Sequence, residues 1–257
     1  MTALSDVCRF LDEGLGTTEI PDYDRALNGL QLANGGTVHR VAATVDFSLD
    51  AVRQAVDAGA GLLLVHHGMF WGGLQPIVAS HYERLHLAMT HDLAIYASHL
   101  PLDFHASWGN NALLAERLQL VPDGRFGRYR TFELGYTGSA DLDTVELAAR
   151  VRDFAEPLGT RVLTTAHAPG RRTRRWAIIT GAGASSETLV EAAERGVDTL
   201  IVGEGPHHTA VEAQECGIVV IYAGHYATET LGVQALATEL ERTFALPWSF
   251  LHLPTGL

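Results

Sequence analysis

Short, uninterrupted apolar runs alternate with amphipathic stretches along most of this chain, a pattern that predicts strands joined to one another through helices. L-L-L-V (62–65) and T-L-I-V (199–202) are continuously apolar, as parallel strands covered on both faces are. V-A-A-T-V-D (41–46), residues 94–98, W-A-I-I-T (176–180) and V-V-I-Y-A (219–223) complete the strand set. Helical periodicity predicts helices over 48–59, 80–91 and 109–118, then over 186–195, 207–216 and 228–244, with Gly59 at a helix C-terminus. The start, M-T-A-L-S-D-V-C-R-F-L, puts Leu4, Val7, Cys8 and Leu11 on one face of a first helix. N-G-L-Q-L-A-N-G-G (28–36) combines a short apolar stretch with turn formers. Residues 126–166 break the rhythm: short strands near 129–136 and 160–165 flank a helix near 142–156, a segment expected in the second lobe and at a subunit contact.

The two halves echo one another. A-V-R-Q-A-V-D-A-G-A-G-L-L-L-V-H-H-G (51–68) aligns with T-L-V-E-A-A-E-R-G-V-D-T-L-I-V-G-E-G (188–205), and I-Y-A-S-H-L-P-L-D (95–103) with I-Y-A-G-H-Y-A-T-E (221–229). Where the copies differ, histidines and carboxylates stand at the strand ends. The economical fold is α/β, duplicated lobes with mostly parallel sheets and right-handed crossovers, the first lobe over 1–125 and the second over 126–257.

Composition narrows the class. Only Cys8 and Cys216 are present, so neither a disulfide framework nor a thiolate zinc cluster is available, which fits a reducing cytoplasm. The start lacks the basic segment and apolar run of a signal peptide, and no stretch has the length of a membrane span, so a cytoplasmic protein is expected. The net charge is −12 and every basic residue is arginine, which argues against nonspecific nucleic-acid binding. One local exception, R-R-T-R-R (171–175), reads as a solvated loop before a strand rather than a phosphate grip.

Ligands bind open parallel sheets at the strand carboxyl ends, which directs attention to the histidines there. His66 and His67 follow L-L-L-V directly. Successive strand residues point to opposite faces, so either the chain bends at Gly68 and brings both to one centre, or the two serve two metals. His225 and Glu229 stand one helical turn apart and would share a face. His99 and Asp103 have the same spacing, with Pro101 making their segment a loop or a first helical turn. Such nitrogen and oxygen donors suit zinc, iron or manganese, and five or six of them exceed what one tetrahedral ion needs, so a dinuclear site is expected. A histidine pair after a strand is commonly a core or capping feature, but three clusters at equivalent ends of a duplicated fold make coincidence a poor account. His207 and His208 either line the cleft or occupy a helix N-terminal turn. His81, His86 and His91 fit a helix surface, and G-A-G-A-S-S (181–186) fits a tight turn as well as an anion cradle.

Taken together, H-H-G-M-F-W-G-G (66–73), S-H-L-P-L-D (98–103), G-N-N-A-L-L-A (109–115) and A-G-H-Y-A-T-E (223–229), with N-G-L-Q (28–31), resemble the Nif-three-like family (NGG-one-interacting factor three). Its bacterial members commonly carry the name GTP cyclohydrolase I type two homolog. The resemblance covers nearly the whole chain. It implies two α/β lobes facing across a cleft that holds two divalent cations, and a homo-oligomer, often a ring-like hexamer. The implied metal ligands are His66, His67, Asp103, His225 and Glu229, with Glu229 bridging. His99 falls beside them as a base or as a group that positions a ligand, so His99 and Glu229 are the candidate catalytic pair. With only about forty residues between the lobes, the short form of the family is implied.

The implied activity is metal-dependent hydrolysis of a small, nucleotide-like substrate, with water attacking the imidazole-ring carbon of GTP as the specific form. A metal-handling or regulatory interaction protein is the alternative from another class. A phosphodiesterase or nuclease would need a basic groove that this acidic chain shows only locally.

Overall fold

The computed structural model describes residues 1–257, which divide into two compact units, Met1–Leu102 with Gly232–Leu253 and Asp103–Leu231 with Pro254–Leu257. Both are α/β, and both strand ladders run as the apolar pattern requires. The division differs from a cut at residue 125: the helix Asn110–Arg117 packs Leu114 and Ala115, and Leu118 just after it, into the second unit's core, and the C-terminal strand returns to the first unit.

The first unit carries a five-stranded sheet ordered Trp248–Phe250, Val41–Asp46, Leu62–His67, Ala94–Ala97 and Gly29–Leu32. Three of its pairings are parallel and the last is antiparallel. Leu62, Leu63, Leu64 and Val65 are all buried, so a continuous apolar run is what both covered faces demand. Leu63, Val65 and Ile95 point into one core with Val52 and Ala55 of the helix Leu49–Asp57 and with Leu251 from the chain's far end. Ser48 caps that helix by accepting the Ala51 N–H at 3.1 Å. Gly59 follows its C-terminus with φ +67°, the left-handed conformation glycine adopts without strain. The helix Leu4–Leu15 buries Leu4, Val7, Cys8 and Leu11, the stripe its periodicity predicts.

The second unit's six-stranded sheet is mixed. Arg172–Ile179, Thr199–Val202 and Val219–Tyr222 form a parallel centre, flanked by Gly124–Tyr129, Phe132–Asp143 and Leu163–Thr164 in antiparallel pairings. Strand alternation sorts its two faces: Ile178, Ile201 and Ile221 meet Val151, Phe154 and Leu118 on one side, while Ala177, Leu200 and Val220 meet Leu189, Ala192 and Ala213 on the other. Residues 124–143 make a long hairpin turning at Arg130, which holds φ +50°. This hairpin is longer than the short strand expected near 129–136, because its half-exposed outer strand carries charged and glycine residues that interrupt any apolar run.

The arginine-rich segment lies in and just before the strand Arg172–Ile179 and is largely satisfied by its surroundings. Arg171 donates to the Gly217 carbonyl at 2.8 Å, Arg172 pairs with Asp141, and Arg175 pairs with Asp123 at 2.8 Å. No helix is long and apolar enough to cross a membrane.

Candidate metal centre

In the first unit, the sheet's carboxyl edge assembles three imidazoles. The strand Leu62–His67 continues straight through both histidines, so no bend at Gly68 is needed. Gly68 instead makes room: a Cβ there would lie 2.3 Å from the Gln31 amide, whose oxygen accepts the Met69 N–H at 2.7 Å and whose nitrogen donates to the Leu27 carbonyl at 2.8 Å. Gln31 belongs to the N-G-L-Q segment, which explains physically why that segment and H-H-G occur together. His99 arrives from the neighbouring strand, two residues after Ala97. The ligand atoms of His66, His67 and His99 all lie within 4.8 Å of one another.

Each of these rings is held from behind. His66 Nδ1 donates to the Ser98 carbonyl, His67 Nδ1 to Asp46 and His99 Nδ1 to Asp22, each at 2.8 Å. Carbonyl and carboxylate oxygens only accept, so the proton sits on Nδ1 and the lone pair on Nε2. The sheet register sets one of these contacts, since Asp46 is the cross-strand partner of His67. Asp22 is buried and clamped on its other oxygen by the Asn28 amide at 2.8 Å and the Leu100 N–H at 2.9 Å, while Asn28 in turn accepts the His99 N–H at 2.7 Å. Burial alone would raise the Asp22 pKa, but His99, Asn28 and the Leu100 amide together hold it below the usual carboxylate range.

The second unit presents carboxylates and one imidazole at the same edge of its sheet. Asp103 lies in the short helix Leu100–Phe104, which starts one residue before Pro101, as a first turn permits. It is buried, and its Oδ1 accepts from the Asn110 amide at 2.8 Å and the Thr180 hydroxyl at 3.3 Å. Asn111 completes the clamp, donating to the Asp103 carbonyl at 3.2 Å and accepting the Thr180 N–H at 2.9 Å. The G-N-N motif therefore acts as a carboxylate holder.

His225 opens the helix His225–Phe244 and Glu229 follows one turn later; the helix begins three residues earlier than its periodicity predicts and places both on one face. His225 Nδ1 lies 2.8 Å from Glu204 and its Nε2 lies 3.1 Å from Glu229. Burial works against a charged imidazole, yet the two glutamates outweigh it and raise His225 to about 9. The Glu229 carboxylate fits into space vacated at Gly181: a Cβ there would fall 2.1 Å from Glu229 Oε1 and 3.3 Å from His225 Nε2.

This donor chemistry fits divalent cations. Imidazole nitrogens and carboxylates are the expected ligands for zinc, iron or manganese, and metal-binding histidines characteristically donate their second N–H to a carboxylate or carbonyl, which fixes the ring and raises its basicity. Four histidines here do so. The supporting carboxylates Asp22, Asp46 and Glu204 are not apparent from spacing, although Glu204 stands opposite His67 in the internal repeat. His207 and His208 open the helix His207–Glu215 as exposed residues, and His86 stacks on Tyr82 at 5.4 Å on a helix surface.

A duplicated α/β chain whose sheet edges gather buttressed histidines and carboxylates carries groups that could hold a metal ion, and this sets the class in which its relatives are found. The chain belongs to the Duf34/NIF3 (NGG1p interacting factor 3) family, whose model matches residues 2–254. It is 40% identical over 255 residues to a GTP cyclohydrolase 1 type 2 homolog of Deinococcus radiodurans, covering 98% of this chain and 94% of the relative. A protein of the same name from Pyrococcus abyssi is 35% identical, with 98% of each chain covered. Among solved structures, TTHA1606 from Thermus thermophilus superposes with a TM-score of 0.86 at 35% identity over 100% of both chains.

Proposed function

We propose that this chain is a divalent-metal-dependent hydrolase of small, nucleotide-like molecules, in which His66, His67, Asp103, His225 and Glu229 would hold two divalent cations. The observation that carries this reading is the buttressing of His66 and His67, each with Nδ1 committed to an oxygen acceptor at 2.8 Å so that Nε2 carries the lone pair, with His225 Nδ1 held in the same way by Glu204 at 2.8 Å. When bound, the cations supply Lewis acidity and bring the ionisation of water toward neutral pH. Asp22 fixes the Nδ1–H tautomer of His99, and His99 Nε2 is then the base that takes a proton from the attacking water. Asn110 and Thr180 hold Asp103 in one orientation, and Gly181 leaves Glu229 the room to reach its position.

The relatives' name points to a nucleotide, and to opening of the imidazole ring of GTP by water as the specific reaction. A metal-handling protein would use the same ligands but has no need of a buried Asp22–His99 pair, which favours turnover. The test is metal analysis of the purified protein, followed by a nucleotide panel for turnover with each metal restored. His66→Ala and His225→Ala should each lower bound metal while the fold is kept, and Glu229→Gln should abolish turnover. Full metal occupancy in both histidine variants would refute the ligand set, and unchanged activity in Glu229→Gln would refute catalysis.

A further inference from the structure

Two aromatic side chains lie against the histidine cluster of the first unit, and neither belongs to a helix or strand. Trp71 sits in the turn between the strand Leu62–His67 and the helix Ala79–Thr90, with glycines at 68, 72 and 73. Its indole stands perpendicular to two imidazoles, 4.7 Å from His99 at 87° and 5.7 Å from His67 at 81° between ring centroids. Tyr23 comes from the loop before the strand Gly29–Leu32 and lies 6.1 Å from Trp71 and 5.8 Å from His99. It is 51% exposed. Core packing does not require an aromatic ring there, because the apolar core of this unit is built from Leu63, Val65, Ile95 and their helix partners.

A third observation concerns polarity. The Trp71 indole N–H is screened from solvent and meets no acceptor in the protein, whereas buried donors are nearly always satisfied. On a turn with glycines at 68, 72 and 73, the indole therefore offers a screened N–H donor that no acceptor in the protein uses. Aromatic side chains on loops beside a polar centre are a common means of gripping a planar ring, since every heteroaromatic ring has a π-face to stack.

We infer that Tyr23 and Trp71 form the wall that receives a planar heteroaromatic ring, the base of a nucleotide under the proposed function on which this inference rests. Stacking on the wall would bring the ring beside His99, and the indole N–H would meet a ring nitrogen or carbonyl once the glycine-flanked turn adjusts. Trp71 is then a specificity residue that discriminates ring-bearing ligands from simple phosphates.

The test measures GTP and inorganic triphosphate binding to the metal-loaded full chain by calorimetry, with metal content and thermal melting recorded for every variant. Trp71→Ala should weaken GTP binding about tenfold or more, leave triphosphate binding and metal content unchanged, and be largely rescued by Trp71→Phe. Tyr23→Ala, at a half-exposed position, should shift GTP binding in the same direction without lowering the melting temperature. Unchanged GTP affinity in both alanine variants, equal losses for GTP and triphosphate, or no GTP binding by the unmutated chain would overturn the inference. Failure of the metal reading looks different: full metal occupancy in both His66→Ala and His225→Ala, or absence of turnover while ring-dependent GTP binding persists, removes that reading and leaves the aromatic wall in place.

Discussion

At Gly181 a single hydrogen atom decides whether Glu229 has somewhere to go. The residue holds φ +65°, and any Cβ would intrude to 2.1 Å from the carboxylate. Gly181→Ala is expected to cost roughly 1–2 kcal/mol from the left-handed backbone alone and to lower metal content besides, both readable by denaturant titration and metal analysis of one preparation. Asp22 makes a pH-dependent contribution of definite sign. Its folded pKa lies below the ordinary carboxylate value, so its stabilisation is complete above that value and disappears as pH falls through the folded one. Melting temperature in the unmutated protein should therefore fall more steeply on acidification below about pH 4 than in Asp22→Asn; equal slopes would remove Asp22 as a contributor. The cysteines should separate cleanly by reactivity. Cys8 is buried, and burial together with the Asp12 charge pushes its thiol up to about 11, while Cys216 is exposed. A thiol reagent at neutral pH should label Cys216 in the native protein and reach Cys8 only after unfolding.

The secondary elements divide into those that local pattern determines and those that distant pairing determines. The strand runs 62–65 and 199–202 and the helices preceding them were legible because continuous apolar runs and capping residues are local signals. Ser185 illustrates the second kind of signal, accepting the Thr188 N–H at 3.1 Å to start the helix Ser186–Glu194. Ser185→Ala should cost about 1 kcal/mol, and Leu200→Ala, from a fully buried central strand, about 2–5 kcal/mol, both measurable by chemical unfolding. The hairpin 124–143 and the strand Trp248–Phe250 were not legible in extent or position, because each is an edge element whose pairing partner determines it. The same limit applies to the centre. The histidines, Asp103 and Glu229 stand at strand or helix ends where spacing exposes them, whereas Asp22, Asp46 and Glu204 become recognisable only when folding sets them behind a ring.

For the molecule as a whole, the first unit is built from both ends of the chain. Its edge strand Trp248–Phe250 pairs with Val41–Ala43, and just beyond it the Leu251 carbonyl accepts the Thr44 hydroxyl at 3.0 Å. Removing residues 245–257 should expose the strand Val41–Asp46, seen as faster amide exchange there and a lower melting temperature; protection equal to that of the full chain would contradict the pairing. The second unit, by contrast, is nearly continuous from Asp103 to Leu231. During synthesis this order matters in time. At roughly 5–20 residues per second, the ribosome spends on the order of ten seconds making the second unit while an incomplete sheet, with strand Val41–Asp46 still lacking its neighbour, waits outside the exit tunnel. Nascent chains stalled in that interval should be the ones that chaperones hold.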